Sequence, residues 1–228
     1  MRASVEVKAD RCLEAEAASC ARREEILDVA TKLFAEFGYS NADTQQLADR
    51  LQVGKGTIYR HFASKRELFL AAVDRGMSRL RERVCSSMEG VEDPFDRIAS
   101  GVESFLTYYH EHPEIVELII QERAYFKDRP KPTYIEHREK NVERWREFYR
   151  SLIAEGRVRA IPVERITDVI SDLLYGTIFT NYFSGRRKLP AEQASDVIDI
   201  IRFGILSDSE RSRRTSTPPP ETSREVQS

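Results

Sequence analysis

The chain has 228 residues, 40% of them hydrophobic and 32% charged, with a formal net charge of −2. That length holds one large or two modest domains around a real hydrophobic core. No apolar run approaches the roughly 18 residues of a membrane span, and Glu6, Lys8, Asp10, Arg11, Glu14 and Glu16 occupy the place of an apolar signal region, so the expected compartment is the cytoplasm.

Residues 1–20 lack large apolar periodicity and read as a disordered extension. Between Arg23 and Phe37, the apolar residues Ile26, Leu27, Ala30, Leu33, Phe34 and Phe37 form one helical stripe, and Gly38 supplies the stop. Leu47, Ala48 and Leu51 mark a short second helix capped by Asp43 or Thr44. Ile58 and Phe62 mark a third. Ser64 with Glu67 has the spacing of a capping box for a fourth helix, whose inner face is Leu68, Phe69, Ala72, Val73, Met77, Leu80 and Val84. After a break at 86–93, Asp93-Pro94 opens a helix with the stripe Phe95, Ile98, Val102, Phe105, Leu106 and Tyr109. His112-Pro113 restarts the chain with His112 as cap, and Asp128 to Pro132 is a loop. Further helices are expected from about Tyr134 to Glu155, from Val163 to Ser184 before Gly185, and from Pro190 to about Leu206. Residues 207–228, with Pro218-Pro219-Pro220, read as a disordered tail. No strand alternation competes, so the fold class is all-α with about nine helices. An N-terminal three-helix helix-turn-helix domain (21–84) precedes a second helical domain (92–206).

The informative stretch is 43–62. It holds one capped helix of about two turns, a short connection and a second short helix, the layout whose second helix enters a DNA major groove. Leu47, Leu51, Val53, Ile58 and Phe62 would form the small core between the two. Lys55, Thr57, Tyr59, Arg60 and His61 are left facing outward or sideways. From Lys55 to Arg66 there are four basic residues and His61 but no acid, a local stripe suited to phosphate and base-edge contacts. Gly56 allows close approach of the backbone to a phosphate.

Gly38-Tyr39, Leu47-Ala48, Val53 to Phe62, Ser64-Lys65 and Leu68 together resemble the DNA-binding domain of the TetR/AcrR regulators, over about residues 22–70. Tyr109 to Glu114 and Asp172 to Gly176 resemble, more loosely, that family's ligand-binding and dimerisation domain. The resemblance implies DNA contacts from Thr44, Gln45, Lys55, Gly56, Thr57, Tyr59 and His61, with Arg60 adding charge and Lys65 reaching a phosphate. It implies a homodimer in the bacterial cytoplasm, associated with the nucleoid through DNA, acting as a repressor that a small apolar or aromatic effector releases from a palindromic operator. Three positions depart from the family pattern. Gln52 stands where a turn glycine is usual, Gly54 replaces a serine cap, and Asp43 replaces Thr or Ser.

The resemblance further implies an apolar pocket in the second domain, with Phe105, Tyr109, Glu122, Trp145, Tyr149, Tyr175 and Phe179 as candidate lining. The helices at 163–184 and 190–206 are apolar on more than one face. They predict a two-fold interface through Ile170, Leu174, Ile178, Tyr182, Ile198 and Ile201. Cys12, Cys20 and Cys85 are odd in number with no C-x-x-C pair, which points to unpaired thiols. His110 and His112 at i, i+2 point away from each other on a helix, so neither a metal nor any other cofactor is expected. No nucleophile elbow, P-loop or dinucleotide motif gives catalysis a foothold. Two other readings remain open: an architectural DNA-binding protein that answers to no ligand, and a helical ligand-scavenging protein whose basic stripe is incidental.

Overall fold

A computed structural model describes residues 2–186 and 188–215, with side chains for residues 17–209 except 187, and for 211 and 212. Ten helices follow one another in the described residues, with no strand: α1 (Arg2–Asn41), α2 (Thr44–Arg50), α3 (Lys55–His61), α4 (Lys65–Ser87), α5 (Pro94–Glu111), α6 (Pro113–Tyr125), α7 (Thr133–Ala154), α8 (Val163–Ser184), α9 (Pro190–Phe203) and α10 (Asp208–Thr215). No helix is long and apolar enough to cross a membrane.

The head is built by local chemistry. Ile26, Leu27, Ala30, Leu33 and Phe34 of α1 bury against Leu47, Ala48, Ile58, Phe62, Leu68, Phe69 and Ala72. Asp43 caps α2 by accepting from the Gln45 amide, and Gln46 closes the capping box. Ser64 Oγ accepts from the Glu67 amide at 3.1 Å. The reciprocal Glu67 bond goes one residue further back, to the amide of Ala63 at 2.9 Å. Gly38 interrupts the helical path of α1 at φ 75°, a conformation open to glycine at little cost. Phe37 departs from its expected inner stripe. It is 37% exposed, with the Arg50 guanidinium 5.5 Å from its ring centre.

Composition gave residues 2–20 to a disordered extension, whereas α1 runs back to Arg2. The segment contains neither Gly nor Pro, so no residue in it stops a helix growing back from the head. Residues 208–215 of the expected tail form α10, and 216–228 lie outside the described residues. Helix α9 ends at Phe203, short of the expected Leu206, because Gly204 turns the chain at φ 70°. His112 stands at the start of α6 but its ring caps no backbone amide; Nδ1 lies 3.1 Å from Glu114 Oε1.

Buried contacts from α4, α5 and α6 and the loop after α6 tie the head to the second domain. Gln121 of α6, itself buried, accepts from the Tyr39 amide at 2.8 Å and donates to the Phe34 carbonyl at 3.0 Å. The Tyr39 ring packs edge-on against Phe69 and Phe126, with centroids 5.2 and 4.8 Å away. Gly76 lets α4 and α6 touch, since a Cβ there would fall 2.7 Å from Ile115 Cδ1. Tyr108 donates to the Gly76 carbonyl at the same crossing, at 2.7 Å.

Candidate nucleic-acid interface and effector cavity

Helix α3 is only seven residues long and is held by one buried side chain, Ile58, and by Phe62 at its C-cap. Its remaining residues are therefore free to form a surface. Lys55, Gly56, Tyr59 and Arg60 are exposed, and Thr57 and His61 are half-buried. Tyr59 is 46% exposed, and its hydroxyl lies 3.2 Å from Thr44 Oγ1. Thr44 is buried, so its hydroxyl orients Tyr59 from beneath. Gln45 is exposed and donates to Asp49 at 2.7 Å. Lys65 comes from the first turn of α4, donates to the Ser40 carbonyl at 3.1 Å and lies 4.9 Å from the Tyr39 ring centre. All nine residues named from the sequence thus fall on α2, α3 and the start of α4.

Two electrostatic details modify this face. Lys55 Nζ lies 3.6 Å from Asp43 Oδ1, so its charge is partly matched within the chain. The Gln45 amide and Lys55 together hold the Asp43 carboxyl below its ordinary range, against a smaller opposing effect of burial. Partial burial, with Arg60, Arg23 and Arg22 nearby, pushes the His61 ring below the usual histidine value. Burial also lowers Lys65, opposed by Asp43.

The turn between α2 and α3 closes with glutamine, not glycine, at position 52. Gln52 itself adopts φ 54°, the only positive value at a non-glycine among the described residues. The Val53 amide still reaches the Ala48 carbonyl at 2.9 Å. Gln52 therefore takes the left-handed geometry that glycine would adopt without strain. Gly54 sits at the N-cap of α3 with no side chain to close it.

A cavity of about 490 Å³ lies between α4, α5, α7 and α8. Its apolar wall includes Met77, Leu80, Val102, Phe105, Trp145, Phe148, Tyr149, Ile170, Leu174 and Tyr175. Burial pushes the Tyr149 and Tyr175 hydroxyls up to about 12 and raises Tyr109 well above its ordinary value, which keeps all three neutral.

Four of the seven residues proposed for a pocket, Phe105, Trp145, Tyr149 and Tyr175, line this cavity. Tyr109 stands behind the wall, its ring 5.1 Å from Phe105 and its hydroxyl 3.5 Å from Met77 Sδ. Phe179 packs on Tyr134, with centroids 6.3 Å apart. Glu122 is elsewhere altogether: it is 1% exposed, accepts from the Thr133 amide and hydroxyl and pairs with Arg129 at 2.9 Å, which pins the start of α7.

The residues expected at a two-fold interface are divided in a similar way. Ile170 and Leu174 face the cavity, Ile178 and Ile198 are buried in the chain's own core, Ile201 is half-buried, and the Tyr182 hydroxyl donates to Glu117. The apolar side chains that reach the surface are their neighbours. Val169, Leu173 and Phe183 of α8 are 62%, 39% and 71% exposed, and Ile200 and Phe203 of α9 are exposed too.

Sequence reasoning missed the cavity's basic residues Arg81, Arg97, Arg138, Lys140 and Arg144. Lys140 and Arg144 are spaced i, i+4 on a helix that also carries Trp145 and Tyr149, a pattern that marks one face as both basic and aromatic. Cys85 also lines the cavity, 3.2 Å from an Arg144 nitrogen; it and Cys20 are free thiols, and Cys12 lies outside the described side chains. No cluster of metal-binding side chains occurs among the described residues.

Residues 26–72 match the family described as bacterial regulatory proteins, tetR family. The repressor KstR of Mycobacterium tuberculosis is 30% identical over 156 residues, which cover 67% of each chain. The activator FasR of Mycolicibacterium smegmatis is 32% identical over 100 residues, 44% of this chain and 46% of its own length, so that match spans about half of the relative. Among solved structures, the regulator FadR of Bacillus subtilis, in complex with stearoyl-CoA, superposes with a TM-score of 0.66 at 16% identity, covering 80% of this chain and 99% of that one. With its head, its helical second domain and these relatives in agreement, the chain belongs to the TetR family of bacterial transcriptional regulators.

Proposed function

We propose that this regulator is a homodimeric repressor, released from a palindromic operator by a small molecule with an apolar body that binds in the cavity. The observation that carries the reading is the course of α4. Its first turn presents Lys65 beside the reading helix, and its later turns supply Met77, Leu80, Val84 and Cys85 to the cavity wall. A ligand that favours one position of α4 over another shifts the head by its differential affinity for the two states. Thr57, Tyr59, Arg60 and His61 supply base-edge and phosphate contacts, with Lys55 and Lys65 on the backbone. Pairing two heads calls for a self-complementary apolar face. Val169, Leu173 and Phe183 of α8 with Ile200 and Phe203 of α9 supply it in place of the buried Ile178 and Ile198. KstR, named a repressor, supports the direction of control, and the FadR complex with stearoyl-CoA supports a ligand with an apolar chain.

Selection of duplexes from random DNA by the purified chain tests this. The expected outcome is an inverted repeat with half-sites about one helical turn apart and a dimeric mass in solution. A monomer at micromolar concentration, or selected sites without two-fold symmetry, contradicts it.

A further inference from the structure

The lining of the cavity is unusual in charge. Among all its residues there is no Asp or Glu, although the chain carries 38 of them, while Arg81, Arg97, Arg138, Lys140 and Arg144 contribute five cations. Only Arg138 is matched, by Asp168 and Asp172. For the other four, no ion pair within 4.0 Å forms among the described residues; Arg97 is held by the Val91 carbonyl and Arg144 leans on Cys85. Arginines outside the cavity are commonly treated otherwise. Arg75 and Arg79 share Glu24 and Asp28, Arg129 takes Glu122 and Glu136, and Arg146 and Arg150 take Glu143. The unmatched charges are also placed in order. Arg81 of α4 and Lys140 and Arg144 of α7 are exposed, so they stand where the cavity meets solvent, and the aromatic and aliphatic wall lies inward.

We infer that the cavity takes an amphipathic anion, its hydrocarbon body against Trp145, Tyr149 and Tyr175 and its carboxylate or phosphate groups between Arg81, Lys140 and Arg144. This rests on the reading of the cavity as the effector site and names the chemical class of the effector. Like charges gathered at one opening repel one another, and an anionic head group relieves that repulsion with charge-assisted hydrogen bonds. A neutral apolar ligand fills the same wall but leaves the cations as they are. The volume of about 490 Å³ falls within the range of roughly 300–1,000 Å³ for small-molecule sites, enough for a medium hydrocarbon chain inside with the polar group at the opening.

The single tryptophan of the chain, Trp145, lies in this wall, so its fluorescence reads occupancy directly in the full-length protein. Four probes separate the chemistry: decanoyl-CoA, decanoate, decanol and CoA, each below its aggregation concentration. The acyl-CoA or the fatty acid is expected to bind at least about tenfold more tightly than the neutral alcohol, with the preference falling as salt rises. CoA alone is expected to bind weakly, for want of an apolar body. Preference for decanoyl-CoA over decanoate assigns the head group to phosphate, and equal binding assigns it to any anion. In the double variant Lys140→Gln/Arg144→Gln, the anion should lose about tenfold while decanol is unchanged; Lys140→Arg keeps the charge and should keep the affinity. Decanol binding as well as the anions in the wild type, or no probe binding at all, overturns the assignment. Adding the probes to a complex with a selected duplex separates this from the regulatory reading. Anion binding that leaves the duplex bound sinks ligand release and keeps the anion site, whereas release by decanol alone does the reverse.

Discussion

The head and the second domain solve different problems, and the contrast explains where each is strict. In the head, α2 and α3 are seven residues each, too short to be stable alone, so caps and a few fully buried side chains do the holding. The inward side chains Ile26, Leu27, Leu33, Phe34, Leu47, Ile58 and Phe62 are closed off from solvent, and the outer face of α3 is left exposed. The second domain is made of longer helices that can enclose 490 Å³ of space and still stand. Its burden falls on a few polar anchors, of which Glu122 is the most enclosed. The head is thus held by packing and caps, and the second domain encloses open space but is pinned at points.

If that contrast is right, removing a pin should cost more than altering the reading surface. Glu122→Ala leaves the buried Thr133 amide without its partner and Arg129 with Glu136 alone, and should lower unfolding free energy by about 3 kcal/mol, read by urea denaturation. Asp43→Ser keeps a cap on α2 but frees Lys55. DNA affinity should rise about three- to tenfold, and the salt dependence should steepen as one more phosphate contact counts. Gln52→Gly removes the left-handed strain and should stabilise the fold by about 0.5–1 kcal/mol with affinity for DNA little changed; a loss of stability there would show that the Gln side chain contributes more than its backbone costs. The smallest effect is a pH dependence. His61 has its pKa lowered in the free chain, so it is neutral at pH 7.5, and a phosphate beside it would raise that pKa. Binding then takes up a proton, and affinity should increase as pH falls through and below about 6.5. The increment should vanish in His61→Ala.

The same contrast governs what could be read from the residues alone. In the head, function and fold use the same local signals: Asp43, Ser64 and Gly38 mark ends, Ile58 and Phe62 mark the inside, and what remains is the surface. Several helix limits in the second domain were legible for the same reason, since Gly185 closes α8 and Pro190 opens α9, although the stop at Gly204 was passed over. The roles of side chains within those helices were not. Ile170, Leu174, Ile178 and Val169 are equally apolar, and only the packing of α8 against α7, α5 and α6 decides which faces the cavity, the core or solvent. Glu122 was misplaced because a carboxylate in an apolar helix looks the same whether it waits for a ligand or caps a neighbouring element eleven residues on. The basic lining was missed because Arg81 and Arg144 lie on different helices and line one cavity only in the fold.

The most direct test is the dissociation constant of a selected duplex, measured by fluorescence anisotropy, for the wild type and for Thr57→Ala/Tyr59→Ala. Ile58 and Phe62, which anchor α3, are untouched and only the Tyr59–Thr44 hydroxyl contact is lost, so the variant should fold with a thermal midpoint lowered by a few degrees at most. The account predicts loss of at least about tenfold in affinity for the selected duplex, with weak salt-sensitive binding to unrelated DNA retained. Unchanged affinity in a folded variant would contradict a reading head centred on α3, and with it the assignment of this surface to DNA.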